Sequence, residues 1–446
     1  MMKTYERYKP AGVDWLGEIP DQWRTKRLKY VAYMKGRIGW QNLRASEFNF
    51  DANLPFLITG MNFKDGVIRW DEVYHFSEER YNEAPEIQLK EGDVLMTKDG
   101  TIGKLLYVDH LPGKASLNSH LLVLRAQTGE FIPKYLFYQL DSITFKHHIE
   151  LTKSGTTFFG ISQEATGEYP MILPPLPEQT AIARYLDEKT AQIDKLIAGK
   201  ERLIRLLKEE RTAIINQAVT RGVDADARLK PSGVVWLGDI PEHWKVKKLK
   251  YLVSKVGSGI TPSGGANVYR QEGVPLLRSQ NIHSDRLVLD DVAYISEEVD
   301  ESMSNSRINE GDVLLNITGA SIGRCYFVPE GFGRGNVNQH VCIIRPVQSS
   351  VTTEYLHAVL VSGYGQNLID MCQTGANREG LNFQQIRGFD IPLCDVDEQR
   401  RVVEFIRTAT GKIDATVAKI EKEIGFVREY RTALISEVVT GKVKVV

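Results

Sequence analysis

A long internal duplication limits the folds that this 446-residue chain can adopt. Residues 9–30, KPAGVDWLGEIPDQWRTKRLKY, return as residues 230–251, KPSGVVWLGDIPEHWKVKKLKY. Residues 92–104, GDVLMTKDGTIGK, return as residues 311–324, GDVLLNITGASIGR, and the separation between equivalent positions stays between 219 and 221 residues. The chain is therefore two copies of one unit, and it is not a solenoid, whose repeats run about 20–50 residues.

Each copy begins with a part in which short apolar segments alternate with turn residues. Segments such as PFLITGMNF, GDVLMTK and SHLLVLRA are bounded by Gly, Pro, Asn or Asp, a pattern that predicts β-strands. One helical segment follows the strands, at residues 133–148 in the first copy and 353–369 in the second. Strands followed by a helix predict a compact α+β domain in each copy.

The second part of each copy has helical periodicity. Apolar residues recur at alternating steps of four and three over about 40 residues, which is the 3.5-residue period of a coiled coil. The seam positions are equivalent in the two copies, and their apolar members are Ile193, Ile197, Ile204, Leu207, Ile214 and Ala218, then Ile413, Val417, Ile420, Ile424, Val427, Leu434 and Val438.

Each seam needs a partner, because a lone helix with one apolar stripe is not stable in water. We expect the two helices to pair in antiparallel orientation; the alternative is that each packs on its own domain, although a helix of about 60 Å exceeds such a domain in length. Arg211 and Arg431 hold equivalent seam positions, either as register devices or as contacts for another subunit. The predicted division is a globular domain at 1–176, a spacer helix at 177–220, a second globular domain at 221–396 and a second spacer helix at 397–446.

Charge and composition narrow the classes of function. The 56 Lys+Arg and 57 Asp+Glu residues give a net charge of −1, which excludes an indiscriminate polyanion binder but not a specific nucleic-acid reader. Residues 22–46 and 243–271 carry seven and six basic residues with no acid, and each stretch is either a solvated face or a phosphate-facing edge. No apolar run approaches the ~18 residues of a membrane span, and the four cysteines match no zinc or redox spacing. These features predict a cytoplasmic protein with reduced thiols.

The sequence carries no convincing catalytic signature. It lacks a phosphate-binding G-x-x-x-x-G-K-[ST] loop, an H-E-x-x-H zinc motif and a G-x-S-x-G nucleophile elbow. We therefore predict no catalysis, no metal site and no bound cofactor, against the alternatives of a nuclease or a methyltransferase. Two similar domains on rigid helices suit a reader of two DNA half-sites, which lie about one helical turn, ~34 Å, apart in dimeric readers. A coiled-coil scaffold that reads no DNA sequence is the competing interpretation.

Loops that hold equivalent places in the two copies but differ in their polar residues are the candidate DNA contacts. Reading two different half-sites requires a shared frame with different side chains on base edges and phosphates. The first copy supplies Arg37, Lys98, Asp99, Thr101, Lys104, Asn118, His120, Lys153 and Thr156, and the second supplies Arg278, Gln280, Asn281, Asn316, Thr318, Arg324, Asn338, His340, Asn377 and Arg378. For each residue, a turn or surface role is the competing interpretation.

Several motifs together resemble one known family. WLGEIPDQW and WLGDIPEHW, followed by KRLKY and KKLKY, resemble the module start of type I restriction–modification specificity subunits. GDVLMTKDGTIGK, PPLPEQTAIARYLDEKTAQIDKLI and the closing EVVTGK are also similar to that family, and the resemblance covers essentially the whole chain. The second copy departs from it at the proline-rich hinge, where PPLPEQ becomes IPLCDVDEQ.

The resemblance implies that this chain reads the DNA sequence and that other subunits carry out the chemistry. Two target recognition domains each read one half of a bipartite, asymmetric site in double-stranded DNA, and two helical regions form an antiparallel spacer. The spacer binds two modification (methyltransferase) subunits, and restriction subunits join the complex. S-adenosylmethionine, ATP and Mg²⁺ then belong to those partner subunits, and this chain reads and scaffolds without catalysing a reaction or contacting a membrane.

Overall fold

The computed structural model describes residues 4–37, 43–64, 66–153, 160–373 and 380–445. The chain divides into two compact units: unit 1 comprises Met1–Lys200 and Lys422–Val446, and unit 2 comprises Glu201–Glu421. Unit 1 is therefore built from two separate stretches of sequence, whereas unit 2 is one continuous stretch.

The first copy folds into short strands, short helices and one long helix. Its strands are β1 (Tyr8–Pro10), β2 (Glu18–Pro20), β3 (Arg24–Arg27), β4 (Ala32–Gly36), β5 (Phe56–Ile58), β6 (Phe63–Lys64), β7 (Val67–Ile68), β8 (Tyr74–His75), β9 (Val94–Thr97), β10 (Leu105–Tyr107), β11 (Ala115–Leu117), β12 (Leu121–Ala126) and β13 (Pro170–Leu173). Its helices are α1 (Glu78–Asn82), α2 (Pro133–Asp141), α3 (Ile143–Thr152), α4 (Gln163–Gly167) and α5 (Leu176–Arg221).

The second copy repeats this order, except that a single bridge between Ile282 and Leu287 stands at the place of the β6–β7 pair. Its strands are β14 (Leu229–Pro231), β15 (Asp239–Pro241), β16 (Lys245–Lys248), β17 (Val253–Ser258), β18 (Val274–Leu277), β19 (Ala293–Ile295), β20 (Val313–Asn316), β21 (Cys325–Phe327), β22 (Asn336–Val337), β23 (Val341–Pro346) and β24 (Asp390–Leu393). Its helices are α6 (Glu297–Ser302), α7 (Thr353–Val361), α8 (Gly363–Cys372), α9 (Phe383–Arg387) and α10 (Val396–Val439). The long helices expected from the sequence are thus present as α5 and α10.

The sheets have the same topology in both units. Unit 1 has an antiparallel sheet of order β10-β9-β12-β4 and a second sheet of order β11-β5-β8, in which β11 and β5 are parallel. Unit 2 has the equivalent sheets β21-β20-β23-β17 and β22-β18-β19, with β18 and β22 parallel. Strands and helices in each unit confirm a mixed α and β architecture that is repeated within the chain.

The helical segment that follows the strands is two helices in each copy, so the prediction of one helix was wrong. The break falls at Ser142 in unit 1 and at Ser362 in unit 2. Each serine has an extended backbone, and its hydroxyl accepts a hydrogen bond from the first turn of the next helix, from the N–H of Phe145 at 3.4 Å or of Gly365 at 3.1 Å. Serine is a favoured N-cap residue for this reason, and the chain turns where it caps.

The repeated Glu-Gln pair ties the start of each long helix to its own globular part. In unit 1 the buried Trp23 indole donates to Glu178 Oε2 at 2.9 Å, and Gln179 donates to the carbonyls of Glu130 and Pro174 at 2.9 Å each. In unit 2 Trp244 donates to Glu398 Oε1 at 3.0 Å. These contacts explain why tryptophan and Glu-Gln recur together in the two copies.

A buried carboxylate holds the central strands of each four-stranded sheet. Asp93 accepts hydrogen bonds from Arg125 at 2.6 and 2.7 Å, and Asp312 accepts two from Arg345, both at 2.7 Å. Both carboxylates are fully buried, and each also accepts a backbone N–H at 2.7 Å. Pairing and hydrogen bonding offset the cost of burying the charge.

The sequence predicted reduced thiols and no membrane span, and the cysteines and helices of the structure can be compared with those two predictions. All four cysteines are free thiols, and burial raises the pKa of Cys325, Cys342 and Cys394 to about 12. Among the residues that the structure describes, no helix has the length and apolar character needed to cross a membrane.

Candidate nucleic-acid interface

Three loops of unit 1 meet at one end of its sheets. Beyond β9, the N–H of Lys98 donates to the carbonyl of His120 at 3.0 Å, and beyond β11, the N–H of Asn118 donates to the carbonyl of Ile58 at 2.9 Å. A fourth segment joins them, because the N–H of Ile161 donates to the carbonyl of Lys98 at 2.8 Å. We call the segments 59–62, 98–104 and 118–120 edge 1.

Six of the nine predicted contacts of the first copy lie on edge 1: Lys98, Asp99, Thr101, Lys104, Asn118 and His120. His120 Nδ1 donates to Asp99 Oδ1 at 2.7 Å, and the two side chains are 61% and 38% exposed. Thr101 and Lys104 are exposed, and Lys98 and Asn118 are half-buried. Edge 1 therefore presents cations, an imidazole and a hydroxyl together, which are groups that contact phosphates and base edges.

A tight turn shapes the 98–104 segment. Gly103 has a φ of +78°, and a Cβ there would lie 2.7 Å from the Ile149 side chain, so only glycine fits without a shift. Thr97 donates its hydroxyl to the carbonyl of Thr101 and accepts the N–H of Lys104 at 2.9 Å. The turn is therefore fixed by Gly103 and the Thr97 hydroxyl, and the side chains of Thr101 and Lys104 can differ between the copies.

Unit 2 builds the equivalent edge with the same backbone hydrogen bonds. The N–H of Ile317 donates to the carbonyl of His340 at 3.0 Å, and the N–H of Asn338 donates to the carbonyl of Leu277 at 3.1 Å. The N–H of Leu381 donates to the carbonyl of Ile317 at 2.9 Å. We call the segments 278–281, 317–324 and 338–340 edge 2.

The side chains of edge 2 differ from those of edge 1. His340 Nε2 accepts from Gln339 at 3.0 Å, so its Nδ1 carries the proton and donates to Thr318 Oγ1 at 2.5 Å. A hydroxyl thus replaces the Asp99 carboxylate as the partner of the equivalent histidine. Arg324 and Gln280 are exposed on this edge. The two edges share a frame and present different chemistry.

Several predicted contacts are buried and hold the loops from within. Arg37 is 3% exposed and donates to the carbonyl of Leu117 at 2.8 Å, and burial lowers the pKa of its guanidinium to about 10. Asn281 and Asn316 are fully buried, and Asn316 donates to the carbonyl of Ser279 at 2.8 Å. Asn338 is 8% exposed and its side chain accepts the N–H of His340 at 3.1 Å. These four side chains are therefore bonded to the backbone of the loops, and their contact with DNA stays a prediction.

The remaining predicted contacts divide into two groups. Arg278 is half-buried and donates to the carbonyl of Asp291 at 2.8 Å, and Lys153 pairs with Glu150 at 2.6 Å. Thr156, Asn377 and Arg378 lie outside the residues that the structure describes. Bridges from Asp99 to Gly160 and from Thr318 to Gly380 bring the described flanks of those segments to the two edges. Within the described ranges, no group of three His, Cys, Asp or Glu residues could hold a metal ion.

The long helices carry ion pairs within each unit. In unit 1, Lys200 of α5 pairs with Glu423 of α10 at 2.6 Å, and Arg431 pairs with Asp194 at 3.0 Å and with Asp141 at 3.1 Å. In unit 2, Arg211 of α5 pairs with Asp414 of α10 at 2.8 Å. Each seam residue is buried or half-buried, and seven exposed large apolar residues of the two helices lie off the seam: Leu176, Leu196, Leu203, Leu206, Phe405, Phe426 and Tyr430.

Comparison with known proteins agrees with this architecture. A family model described as the type I restriction modification DNA specificity domain matches residues 20–205 and 241–425, one match in each copy. The chain belongs to this family. It is a specificity subunit of the type I restriction–modification systems, and its non-catalytic character follows from that membership.

Curated relatives match the specificity subunit over almost its whole length. The EcoBI specificity subunit of Escherichia coli is 24% identical over 445 residues, which cover 96% of this chain and 88% of that protein. The EcoKI specificity subunit of E. coli strain K12 is 20% identical, with coverages of 96% and 90%. A solved structure from a study of assembly and conformational transition of the type I R-M system shares the fold, with a TM-score of 0.67, 16% identity and coverages of 95% and 99%.

Proposed function

We propose that this specificity subunit reads a bipartite, asymmetric site in double-stranded DNA, with edge 1 on one half-site and edge 2 on the other. The observation that carries the proposal is that both edges are held by equivalent backbone hydrogen bonds and present different side chains. An Asp99–His120 pair on edge 1 corresponds to Thr318–His340 on edge 2. Different side chains on one frame read different bases, so the two half-sites differ in sequence.

The exposed residues of each edge are our candidates for direct contact. On edge 1 they are Thr101, Lys104 and His120, with Lys98, Asp99 and Asn118 half-buried beside them. On edge 2 they are Gln280 and Arg324, with Thr318 and His340 half-buried. Arginine and glutamine make bidentate contacts with guanine and adenine, and lysine contacts guanine or phosphate. Lys153, Thr156, Asn377 and Arg378, on the segments beside the edges, remain candidates.

The two long helices form an antiparallel coiled-coil pair in this proposal and set the distance between half-sites. The order of the ion pairs supports antiparallel pairing, because residues 194 and 200 pair with 431 and 423, and residues 208 and 211 pair with 421 and 414. The burial of Ile204, Ile420 and Ile424 to 9% exposure or less supports the predicted seam. A 46-residue helix is about 69 Å long, so it spans about two turns of DNA at ~34 Å each.

In the assembled enzyme, the recognition domains are residues 1–176 and 221–396, and the spacer helices are 177–220 and 397–446. The helices carry two modification subunits, to which restriction subunits are added. S-adenosylmethionine, ATP and Mg²⁺ bind to those partners, which perform the chemistry. The complex acts in the cytoplasm. The solved structure that shares this fold comes from a study of complex assembly in a type I R-M system, which supports such an assembly here.

Mapping of methylated bases tests this proposal directly. The full chain is expressed with its modification subunits in cells without other methyltransferases, and genomic DNA is sequenced by a single-molecule method that detects modified bases. We expect one motif made of two unlike half-sites separated by a fixed number of unspecified bases. Purified complex should also bind that motif more tightly than a duplex in which either half is scrambled. Equal affinity for all duplexes would support a scaffold that reads no sequence.

A further inference from the structure

A short turn precedes the polar loops of each edge and is locked in the same way in both units. In unit 1 the 3-10 turn Gly60–Asn62 is closed by Asn62, whose Oδ1 accepts the N–H of Thr59 at 2.8 Å. In unit 2 the turn Ser279–Asn281 is closed by Asn281, whose Oδ1 accepts the N–H of Arg278 at 2.9 Å. Both asparagines are buried, so the turn is a fixed part of each edge.

The residue just before each asparagine is turned outward. Met61 is 80% exposed, and Gln280, its equivalent, is also exposed and donates its side-chain amide to the Asp291 carboxylate. The turn follows the strand residue whose carbonyl binds the polar loop, Ile58 for Asn118 and Leu277 for Asn338. A Cβ at Gly60 would lie 3.4 Å from Thr97, at the end of β9. The turn of unit 1 therefore lies against the end of β9, next to Lys98. The turn of unit 2 accepts a hydrogen bond from the predicted contact Asn316 at 2.8 Å through the carbonyl of Ser279.

The chemistry of the two tips differs in a way that base edges can distinguish. Methionine offers an unbranched apolar chain and a polarizable sulfur, and it hydrogen-bonds only weakly. Among the base edges in the major groove, thymine alone carries a methyl group, and apolar side chains contact it. Glutamine binds adenine through two hydrogen bonds. The same turn therefore carries methionine in unit 1 and glutamine in unit 2, which suits two half-sites that differ in the base at the equivalent position.

We propose that Met61 is a specificity-determining residue of edge 1 that packs on the 5-methyl group of one thymine in the half-site. This inference rests on the proposed function, because it requires edge 1 to face the major groove. Burial of one methyl-sized group changes affinity by about fourfold. The contact therefore adds a preference for thymine at one position and leaves the other positions to the polar loops.

The test removes the methyl group from the DNA and the methionine from the protein in a double-mutant cycle. Full-length chain assembled with its modification subunits is titrated with duplexes of the mapped site in which each thymine is replaced, one at a time, by uracil, which lacks only the 5-methyl group. For the wild-type complex we expect one replacement, confined to one half-site, to weaken binding about fourfold. For Met61→Ala, the same duplex should bind as well as the thymine duplex.

Phe50→Ala is the matched control, because Phe50 is an equally exposed apolar residue of unit 1, at 78%, on the segment that precedes β5. It should leave the cost of the uracil replacement at about fourfold. If every uracil replacement costs the same in wild type and Met61→Ala, or if neither half-site contains a thymine, the inference is overturned. A wild-type complex that binds mapped and scrambled sites equally would instead overturn the proposed function.

Discussion

Removal of the buried carboxylate from one unit should weaken that unit alone. Asp312 accepts two hydrogen bonds from Arg345 and one from the backbone N–H of Asn309. In Asp312→Ala all three donors lose their acceptor, and the Arg345 side chain, which is only 28% exposed, loses its counter-ion. Breaking a buried ion pair from one side lowers the free energy of unfolding by about 3–5 kcal/mol. We expect that loss in unit 2.

Hydrogen exchange followed by mass spectrometry measures each unit separately. The amides of β20 and β23 should exchange about 140- to 3,700-fold faster in Asp312→Ala, since each 1.4 kcal/mol is a factor of ten. The amides of β9 and β12 should keep their wild-type rates. Asp93→Ala is the matched variant and should give the reverse pattern, because Asp93 holds Arg125 in the same way. Equal acceleration in both units, or less than tenfold in unit 2, would refute the reasoning.

Three further predictions concern the edges, the helices and pH. Lys104→Gln and Arg324→Gln should each relax recognition of a different half-site, with a loss of binding free energy of about 1–3 kcal/mol for a base-edge contact. Arg202→Gln, on the exposed face of α5, is the control. An equal loss of affinity for unrelated duplexes would instead assign Lys104 and Arg324 to phosphate contacts. Ile204→Asp should disturb assembly or the spacing between half-sites, so a methylation map with an altered base would contradict the seam. Burial lowers the pKa of His357 to about 4, whereas an unfolded histidine titrates near 6.5. The unfolded state therefore takes up the proton first, and unit 2 should lose about 3 kcal/mol of stability as pH falls from about 6.5 to 4. Urea unfolding across that pH range should show the loss of stability in the wild type and a smaller loss in His357→Phe. If the stabilities of the two proteins fell in parallel with pH, His357 would not be the origin of the loss.

The repeated motifs made the architecture predictable from the sequence. Trp23, Glu178 and Gln179 recur in the second copy because they make equivalent contacts there: Trp244 donates to Glu398 at 3.0 Å, and Gln399 donates to the carbonyl of Cys394 at 3.1 Å. The 3.5-residue period of the long segments reflects burial along one face, so it located α5 and α10 to within a few residues at their starts. Patterns that depend on residue type and on period are visible without coordinates.

The orientation of single polar side chains was not predictable, because composition does not record which way a loop residue faces. Arg37 lies in a basic stretch, yet its guanidinium is buried against the carbonyl of Leu117. Asn281 belongs to a polar cluster, but it closes a turn from within, and the neighbouring Gln280 is the exposed residue. Met61 carries no sequence signal, since a lone methionine is usually a core residue. The break at Ser142 was also missed, because apolar residues continue on both sides of it.

The division of the chain into units has a consequence for synthesis on the ribosome. The core of unit 1 includes Leu434, Ile435 and Val438, and the Tyr8 hydroxyl donates to the carbonyl of Gly441 at 3.0 Å. The domain translated first therefore lacks part of its interior until the last segment emerges, whereas residues 201–421 are complete earlier. Because residues 422–446 are translated after residues 201–421, unit 1 cannot complete its core until all of unit 2 has been synthesised.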